Sequence, residues 1–405
     1  MLTKSCAFWN NGLTSKGIRR LPAIWTRPFE APMKTVIFDV DGVLLSEERY
    51  FDVTALTIWE WLYSPSYMGL DGAAVHFDVS DGEITALRHQ LFGADAVLSW
   101  LKGHGVNSNW DMVHAYLAVT LLLLARDCRR QRGKSDFVPP LTQEAVTILG
   151  RNWRGLSVPP AAEILAALAA AVPADADKDG VFAALTAQAV DELGASAASW
   201  LPLRSPFWQL HVNVFQHWYF GDDLYAETYG GQPLQSGKDG FLTRERPLAP
   251  ATAIREMFVT LKERGYTLAV ATGRSTAETM IPFRTYHWLE AFDKSHMATA
   301  SDVAAASKQL GRSLDKPHPF AYYLGAFGNV PERYGDYVEM PERFLNGTYY
   351  VVGDSLADVL GARSMGAVMI ATLTGLEGEA ARPMFEREGA DFIVAKVTDI
   401  LAILT

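Results

Sequence analysis

The feature that most constrains this chain is the stretch Lys34-Thr-Val-Ile-Phe-Asp-Val-Asp-Gly-Val-Leu-Leu45. Val36-Ile37-Phe38 is a short apolar run of β-forming residues. Two aspartates follow at alternate positions, Asp39 and Asp41, and then Gly42. Such a run reads as a strand buried on both faces, so it calls for a sheet with helices on both sides. Its carboxyl end carries the two acids into the crevice where open parallel sheets bind ligands. Carboxylates this close repel each other, and a divalent cation is the simplest compensation. Gly42 lets the backbone turn sharply behind them. In isolation Asp-x-Asp-Gly is equally an ordinary solvated turn. What separates the two readings is whether further polar clusters reach the same sheet edge.

The alternation that builds such a sheet breaks off after Leu45 and resumes at about residue 247. Residues 250–264 form an amphipathic helix with Ile254, Phe258 and Leu261 on its apolar face, ended by Gly265. Residues 266–271 are a buried strand that runs into Thr272-Gly273-Arg274-Ser275. A short strand follows near 297–299, and Lys316-Pro-His-Pro319 leads into a helix over 320–327. A strand over 348–352 is closed by Gly353-Asp354-Ser355-Leu356-Ala357-Asp358, followed by a helix to Met365 and a strand over 368–371. A strand over 392–394 and a segment over 397–404 end the pattern. Strands alternating with helices predict an α/β, Rossmann-like, doubly wound parallel sheet.

Residues 46–246 read instead as almost all helix. The clearest helix is 109–132, with Asn109 as its N-cap and Arg126, Arg129, Arg130 and Arg132 crowding its C-terminal end before Gly133. That cluster is read as a solvated helix end rather than a phosphate site. Residues 160–200 are Ala-rich and helical, broken at Pro173 and again near Asp179-Gly180. Asp175-Ala-Asp-Lys-Asp-Gly180 imitates the start of a calcium loop, but Thr186 stands where such a loop needs a bidentate Glu, so a turn and a helix N-terminus are expected. Residues 206–225 are a strongly aromatic helix with Trp208, Phe215, Trp218 and Phe220, and aromatics at helical spacing are expected in a core. The predicted organisation is a catalytic core from 33–45 and 247–405, with an all-helical block, 46–246, inserted into it.

At 405 residues the chain is too long for one compact core. The net charge of −10 argues against sequence-blind nucleic-acid binding. Two cysteines, Cys6 and Cys128, are too few for a disulfide framework and fit a reducing, cytoplasmic setting. The longest apolar run, 117–125, falls far short of the roughly 20 residues of a membrane span, so no membrane partner is expected. Residues 1–32 hold Lys4, Lys16, Arg19, Arg20 and Arg27 against Glu30 alone. They read as a dispensable extension, either a transit peptide or the product of a start upstream of Met33.

Four polar clusters thus stand at strand ends or just before helices: Asp39/Asp41, Thr272-Gly273, Lys316 and Asp354/Asp358. Each has an ordinary reading as a cap or surface residue; their convergence on one sheet edge is what carries chemistry. The set suits phosphoryl transfer. Asp39 can attack phosphorus, and Asp41 can protonate the leaving alcohol and later deprotonate water. Asp39, Asp41 through its backbone carbonyl, and Asp354 can hold magnesium, with Asp358 orienting Asp354 or a bound water. Thr272, the Gly273 N–H and Lys316 can hold the phosphoryl oxygens.

In order and kind, Asp-x-Asp-Gly, the strand with Thr, Lys-Pro and Gly-Asp-Ser-x-x-Asp resemble the four motifs of the haloacid dehalogenase superfamily, over 33–45 and 247–405. The resemblance implies magnesium-dependent phosphoryl transfer, with Asp39 as nucleophile, Asp41 as acid/base, Thr272 in the second motif, Lys316 in the third and Asp354 with Asp358 in the fourth. Lys308 also falls in range of the third motif, but Lys316 directly precedes a helix in the more typical form. The inserted block resembles this superfamily's helical type 1 cap, though it is much larger than usual. The acid at Asp41 argues against the dehalogenase and phosphonatase branches. The expectation is a phosphatase for a small phosphorylated metabolite. The alternatives are a phosphomutase of the β-phosphoglucomutase type and a non-catalytic binding protein on the same core.

Overall fold

The computed structural model describes residues 33–135, 137, 142–231 and 234–405. The expected dispensable extension, 1–32, lies outside them. Strand β1 (Lys34–Phe38) opens the fold. The helical stretch follows as α1 (Glu48–Tyr63), α2 (Asp81–Phe92), α3 (Ala96–Gly103), α4 (Asn109–Arg132), α5 (Gln143–Asn152), α6 (Ala161–Ala171), α7 (Lys178–Leu193) and α8 (Pro206–Tyr229). Then come α9 (Ala251–Glu263), β2 (Tyr266–Ala271), α10 (Thr276–Thr285), β3 (Met297–Ala298), α11 (Ala300–Leu310), α12 (Phe320–Phe327) and α13 (Tyr334–Glu339). The chain closes with β4 (Thr348–Gly353), α14 (Leu356–Met365), β5 (Val368–Thr372), α15 (Arg382–Arg387) and β6 (Phe392–Val394).

The six strands form one parallel sheet in the order β3-β2-β1-β4-β5-β6. From β1 the chain winds outward through β2 and β3, then crosses back to β4 on the other side of β1. The strand order therefore reverses between β1 and β4, which opens a crevice at their carboxyl ends. Successive side chains of a strand point to opposite faces. Val36 and Phe38 accordingly join the apolar layer under α9, with Ile254, Phe258 and Leu261. Ile37 joins the layer under α12 and α14, with Phe320, Leu324 and Val359. Each of these three side chains is fully buried and contributes about 1.5–3 kcal/mol by leaving water. That burial fixes β1 at the centre of the sheet and so fixes where Asp39 emerges.

Leu45 bridges Pro247, Ser46 N–H donates to the Arg246 carbonyl at 2.8 Å, and Leu248 N–H donates to the Leu44 carbonyl at 3.0 Å. The chain thus leaves and re-enters the sheet through paired backbone. Residues 46–246 bury their own apolar cluster, including Trp61, Trp153, Trp200 and Trp218. At its centre α4 packs against α1, α6, α7 and α8, buried along most of its length as the apolar run 117–125 requires. No helix among the described residues is long and apolar enough to cross a membrane.

Some local expectations shift. Ser108, not Asn109, is the N-cap of α4; Asn109 instead accepts the Thr54 hydroxyl from α1 at 3.1 Å. The Ala-rich region does not break at Asp179-Gly180. Asp177 caps α7 by accepting the Gly180 N–H, so that pair sits in the first turn. The arginines ending α4 are exposed, as a solvated helix end requires, and also tie down neighbouring segments: Arg126 pairs with Glu192, and Arg132 donates to the Arg154 carbonyl at 2.6 Å. Helix α8 runs on to Tyr229 past a kink at Gly221. The segment read over 397–404 forms 3₁₀ turns over Val397–Ala402.

Candidate active site

Asp39 continues β1 by donating its N–H to the Val352 carbonyl of β4 at 2.9 Å, which places it at the point where the strand order reverses. Its carboxylate Oδ1 accepts the Val40 N–H at 2.8 Å and lies 3.3 Å from Lys316 Nζ. Across the crevice Asp354 directly follows β4, and the first turn of α14 carries Asp358. Carboxylate oxygens of Asp39, Asp354 and Asp358 lie within 4.8 Å of one another. Gly42, at φ +70°, and Gly375 flank Asp354; a Cβ on either would fall 2.0 or 2.1 Å from its Oδ2. Both positions must stay bare for that carboxylate to stand in the crevice.

The three acids differ in environment. Asp358 is the most fully held. Its Oδ2 accepts the Asp354 and Ser355 N–H groups at 3.2 and 3.0 Å and the Ser355 hydroxyl at 2.6 Å. Its Oδ1 accepts Lys316 Nζ at 3.1 Å and the Tyr322 hydroxyl at 2.7 Å. Burial opposes its charge, but Lys316 and the hydrogen bonds of Ser355 and Tyr322 outweigh burial and hold its carboxyl below the usual range. Asp39 is pushed up to about 7, by burial first and then by Asp358 and Asp41, against the pull of Lys316. Burial, with the charges of Asp358 and Asp39, also lifts Asp354 well above the carboxylate range. Burial disfavours the Lys316 ammonium, yet Asp358 and Asp39 more than restore it. One lysine among three acids leaves an excess of negative charge, and every donor in the cluster is a hard oxygen. Such a set suits magnesium.

The Asp41 carboxylate stands apart from that cluster. Arg274 Nε and Nη2 both donate to its Oδ1, at 2.9 and 2.6 Å. Thr272 is buried at the end of β2, where its N–H pairs with the Ala298 carbonyl at 3.0 Å. Its hydroxyl oxygen accepts the Arg274 N–H at 3.1 Å, which leaves the hydroxyl proton to donate elsewhere. Gly273 is exposed, with nothing within 4 Å of where a Cβ would stand. Lys316 reaches the acids from the turn before α12, whereas Lys308 lies in the last turn of α11. The structure thus joins Asp39 and Asp358 through Lys316 and brings the Asp354 carboxylate within 4.8 Å of both, with Asp41 and the Thr272-Gly273 turn linked to each other through Arg274.

Two members of this site had no assigned part in the sequence reading. Tyr322 sits on a helix that reads as plainly apolar, yet its hydroxyl binds Asp358 and its ring lies 4.9 Å beneath Lys316 Nζ. Arg274 directly follows Thr272-Gly273, and its side chain is completely buried. A guanidinium in a strand-end turn between a buried strand and a helix is the signal that could have marked it.

The sequence model of the HAD-hydrolase-like family matches residues 315–400, which contain Lys316, Asp354 and Asp358. An X-ray structure solved by the Northeast Structural Genomics Consortium is 32% identical, with a TM-score of 0.80, covering 92% of this chain and 98% of that one. The chain belongs to the haloacid dehalogenase-like hydrolases. A HAD family hydrolase from Deinococcus radiodurans R1, solved with bound phosphate and sodium, is 16% identical with a TM-score of 0.37 over 93% of this chain and 96% of that one, too distant to bear on the site. No protein of curated function matches the sequence.

Proposed function

We propose that the protein is a magnesium-dependent phosphatase that hydrolyses a small phosphomonoester through an aspartyl-phosphate on Asp39. The observation that carries this reading is Asp39 at the strand-order reversal, with Lys316 on its Oδ1 and Asp354 across the crevice. Both recorded partners of Asp39 fall on Oδ1, so Oδ2 is the oxygen left to attack. As the bond from Asp39 to phosphorus forms and the ester P–O bond breaks, Asp41 gives a proton to the leaving alkoxide. Water then attacks the same phosphorus, Asp41 takes its proton, the bond to Asp39 breaks, and phosphate leaves. The Thr272 hydroxyl, the Gly273 N–H and Lys316 offset charge on the phosphoryl oxygens.

Asp39 and Asp354 would hold the magnesium with the Asp41 backbone carbonyl, while Asp358, its oxygens already engaged, orients Asp354 and Lys316. When bound, the ion neutralises the acids and the phosphoryl charge as a Lewis acid. Residues 46–246 are read as a cap over the site. In support, they leave and return beside Asp41, and Tyr219 and Glu245 both contact Arg274. Such a cap excludes water and bulky substrates, which favours soluble metabolites over phosphoproteins. The acidic chain with few cysteines fits a cytoplasmic enzyme.

The test is a panel of phosphorylated metabolites with magnesium or with a chelator, read by release of inorganic phosphate and by product isomer. Magnesium-dependent release that disappears in Asp39→Asn is expected. Isomerisation without release would make the enzyme a mutase, and release that persists in Asp39→Asn would overturn the covalent route.

A further inference from the structure

Burying a guanidinium is costly unless its donors are paired. Arg274 meets that demand with groups from separate stretches of the chain. On one side Nε and Nη2 converge on Asp41 Oδ1. On the other, Nη1 donates to Glu245 Oε1 at 2.7 Å and to the Tyr219 hydroxyl at 3.1 Å, and the guanidinium lies 4.8 Å from the centre of the Tyr50 ring. The Tyr219 hydroxyl itself donates to Glu245 Oε1. Tyr50 stands on α1, Tyr219 on α8 and Glu245 on the stretch returning to the sheet. One side chain therefore spans from Asp41 to three parts of the helical block. Arg274 and Glu245 are wholly buried, whereas a quarter of the Asp41 side chain is exposed. With both donors on Oδ1, the carboxylate is held in one orientation and Oδ2 stays available.

We infer that Arg274 is a positioning residue for Asp41, and that Tyr50, Tyr219 and Glu245 make this positioning depend on how the helical block sits on the sheet. The inference rests on the reading of Asp41 as acid/base. Arg274 does not touch the phosphoryl group; it holds the orientation in which Asp41 Oδ2 meets the leaving oxygen. A lysine would keep the charge but not the planar fork that reaches Asp41 and Glu245 at once. Removing the Tyr219 hydroxyl loosens the far side of the fork without touching Asp41. Loss of positioning shows most where protonation of the leaving group matters most, in an ester of a basic alcohol.

The experiment measures kcat/KM on an alkyl phosphate and an aryl phosphate, with a melting curve for each variant. The variants are Asp41→Asn, Arg274→Lys, Tyr219→Phe and the Asp41→Asn/Arg274→Lys double. Asp41→Asn is expected to lose roughly 10²–10⁴-fold on the alkyl ester and far less on the aryl ester. Arg274→Lys should show the same bias at about ten- to hundredfold, and Tyr219→Phe at severalfold. The double variant should be no worse than Asp41→Asn, because residues that act as a unit are not additive. If Arg274→Lys melts below the assay temperature, Tyr219→Phe carries the test. Equal losses on the two esters in Arg274→Lys and Tyr219→Phe overturn the inference while Asp41 keeps its role, as do losses that multiply in the double variant. Equal losses in Asp41→Asn overturn the acid/base reading and the inference with it.

Discussion

The crevice around Asp39 and the interior of the helical block bury polar groups in opposite ways. At the crevice each oxygen of Asp358 has donors, and Lys316 is shared between two acids. Inside the block, the Trp61 and Trp200 indole N–H groups and both ring nitrogens of His211 are buried without a hydrogen-bond partner. His211 lies edge-on to Trp61 and Phe207, with the His114 ring centre 5.2 Å from its own. Among the described residues, nearly all buried side-chain polar atoms lacking a partner fall within 46–246. A buried polar group without a partner costs stability, about 1–3 kcal/mol. The block offsets that cost mainly with apolar and aromatic area, although it also holds a buried ion pair between Lys238 and Glu60; the site offsets buried charge with opposite charge. Geometry at the site is therefore set chiefly by directional bonds, and around His211, Trp61 and Trp200 by packing.

This contrast predicts separable failures. The largest is catalytic. Asp39→Asn should lower turnover by roughly four orders of magnitude or more, the scale seen when a nucleophile is removed, while the melting temperature holds or rises, because an acid crowded by Asp358 and Asp41 becomes neutral. A large drop in melting temperature would show that Asp39 is structural. The mirror case is Trp61→Ala in the block, which should cost about 3–5 kcal/mol of stability. Measured well below the new melting temperature, its kcat should stay within a fewfold of wild type. A fall in kcat as deep as the fall in stability would mean that the block's packing reaches the chemistry.

A smaller effect probes the bonds behind the acids. Tyr322→Phe removes one donor from Asp358 Oδ1. Because Asp358 orients Asp354 and Lys316 and does not itself hold the ion in this reading, the magnesium concentration for half-maximal activity should rise severalfold, less than the roughly 10- to 100-fold cost of losing a group bonded directly to a metal ligand. An unchanged magnesium requirement would reduce Tyr322 to a packing role.

A further effect is on pH dependence. Burial holds His114 down to about 4, partly countered by its bond to the Leu201 carbonyl, and burial followed by the His114 charge holds His211 well below the usual histidine range. Both are neutral in the folded state, while in the unfolded chain they take up protons near pH 6.5. Above that pH their burial therefore carries no protonation penalty. Stability falls as pH drops below about 6.5, by about 1.4 kcal/mol per histidine per pH unit. The loss levels off for His114 near pH 4. Melting curves from pH 7.5 to 4.5 on wild type and His114→Leu/His211→Leu should show a shallower fall in the variant. Parallel curves would show that other groups dominate acid unfolding.

Legibility in the sequence follows the same division. Strands β1 and β2 lie where local pattern puts them, because a run buried on both faces and closed by a turn has few alternatives; β6 and α12 also lie where the pattern puts them. The local signal fails where a competing contact decides, as at Asn109, drawn to Thr54, whereas the turn and helix N-terminus expected over 175–180 are found, with Asp177 as the cap. The convergence of Asp39, Lys316, Asp354 and Asp358 was legible because each follows a strand, precedes a helix or lies in a helix's first turn, and parallel strands bring such ends to one edge. Arg274 and Tyr322 were not, since what they touch lies far away in sequence. Arg274 meets Asp41 across 233 positions and Tyr322 meets Asp358 across 36. Periodicity by itself determined that this chain makes a parallel sheet with acids at its edge. Only the tertiary structure decided that Asp41 is held by a guanidinium tied to the helical block, because an ion pair depends on distance in space and local pattern records only distance along the chain.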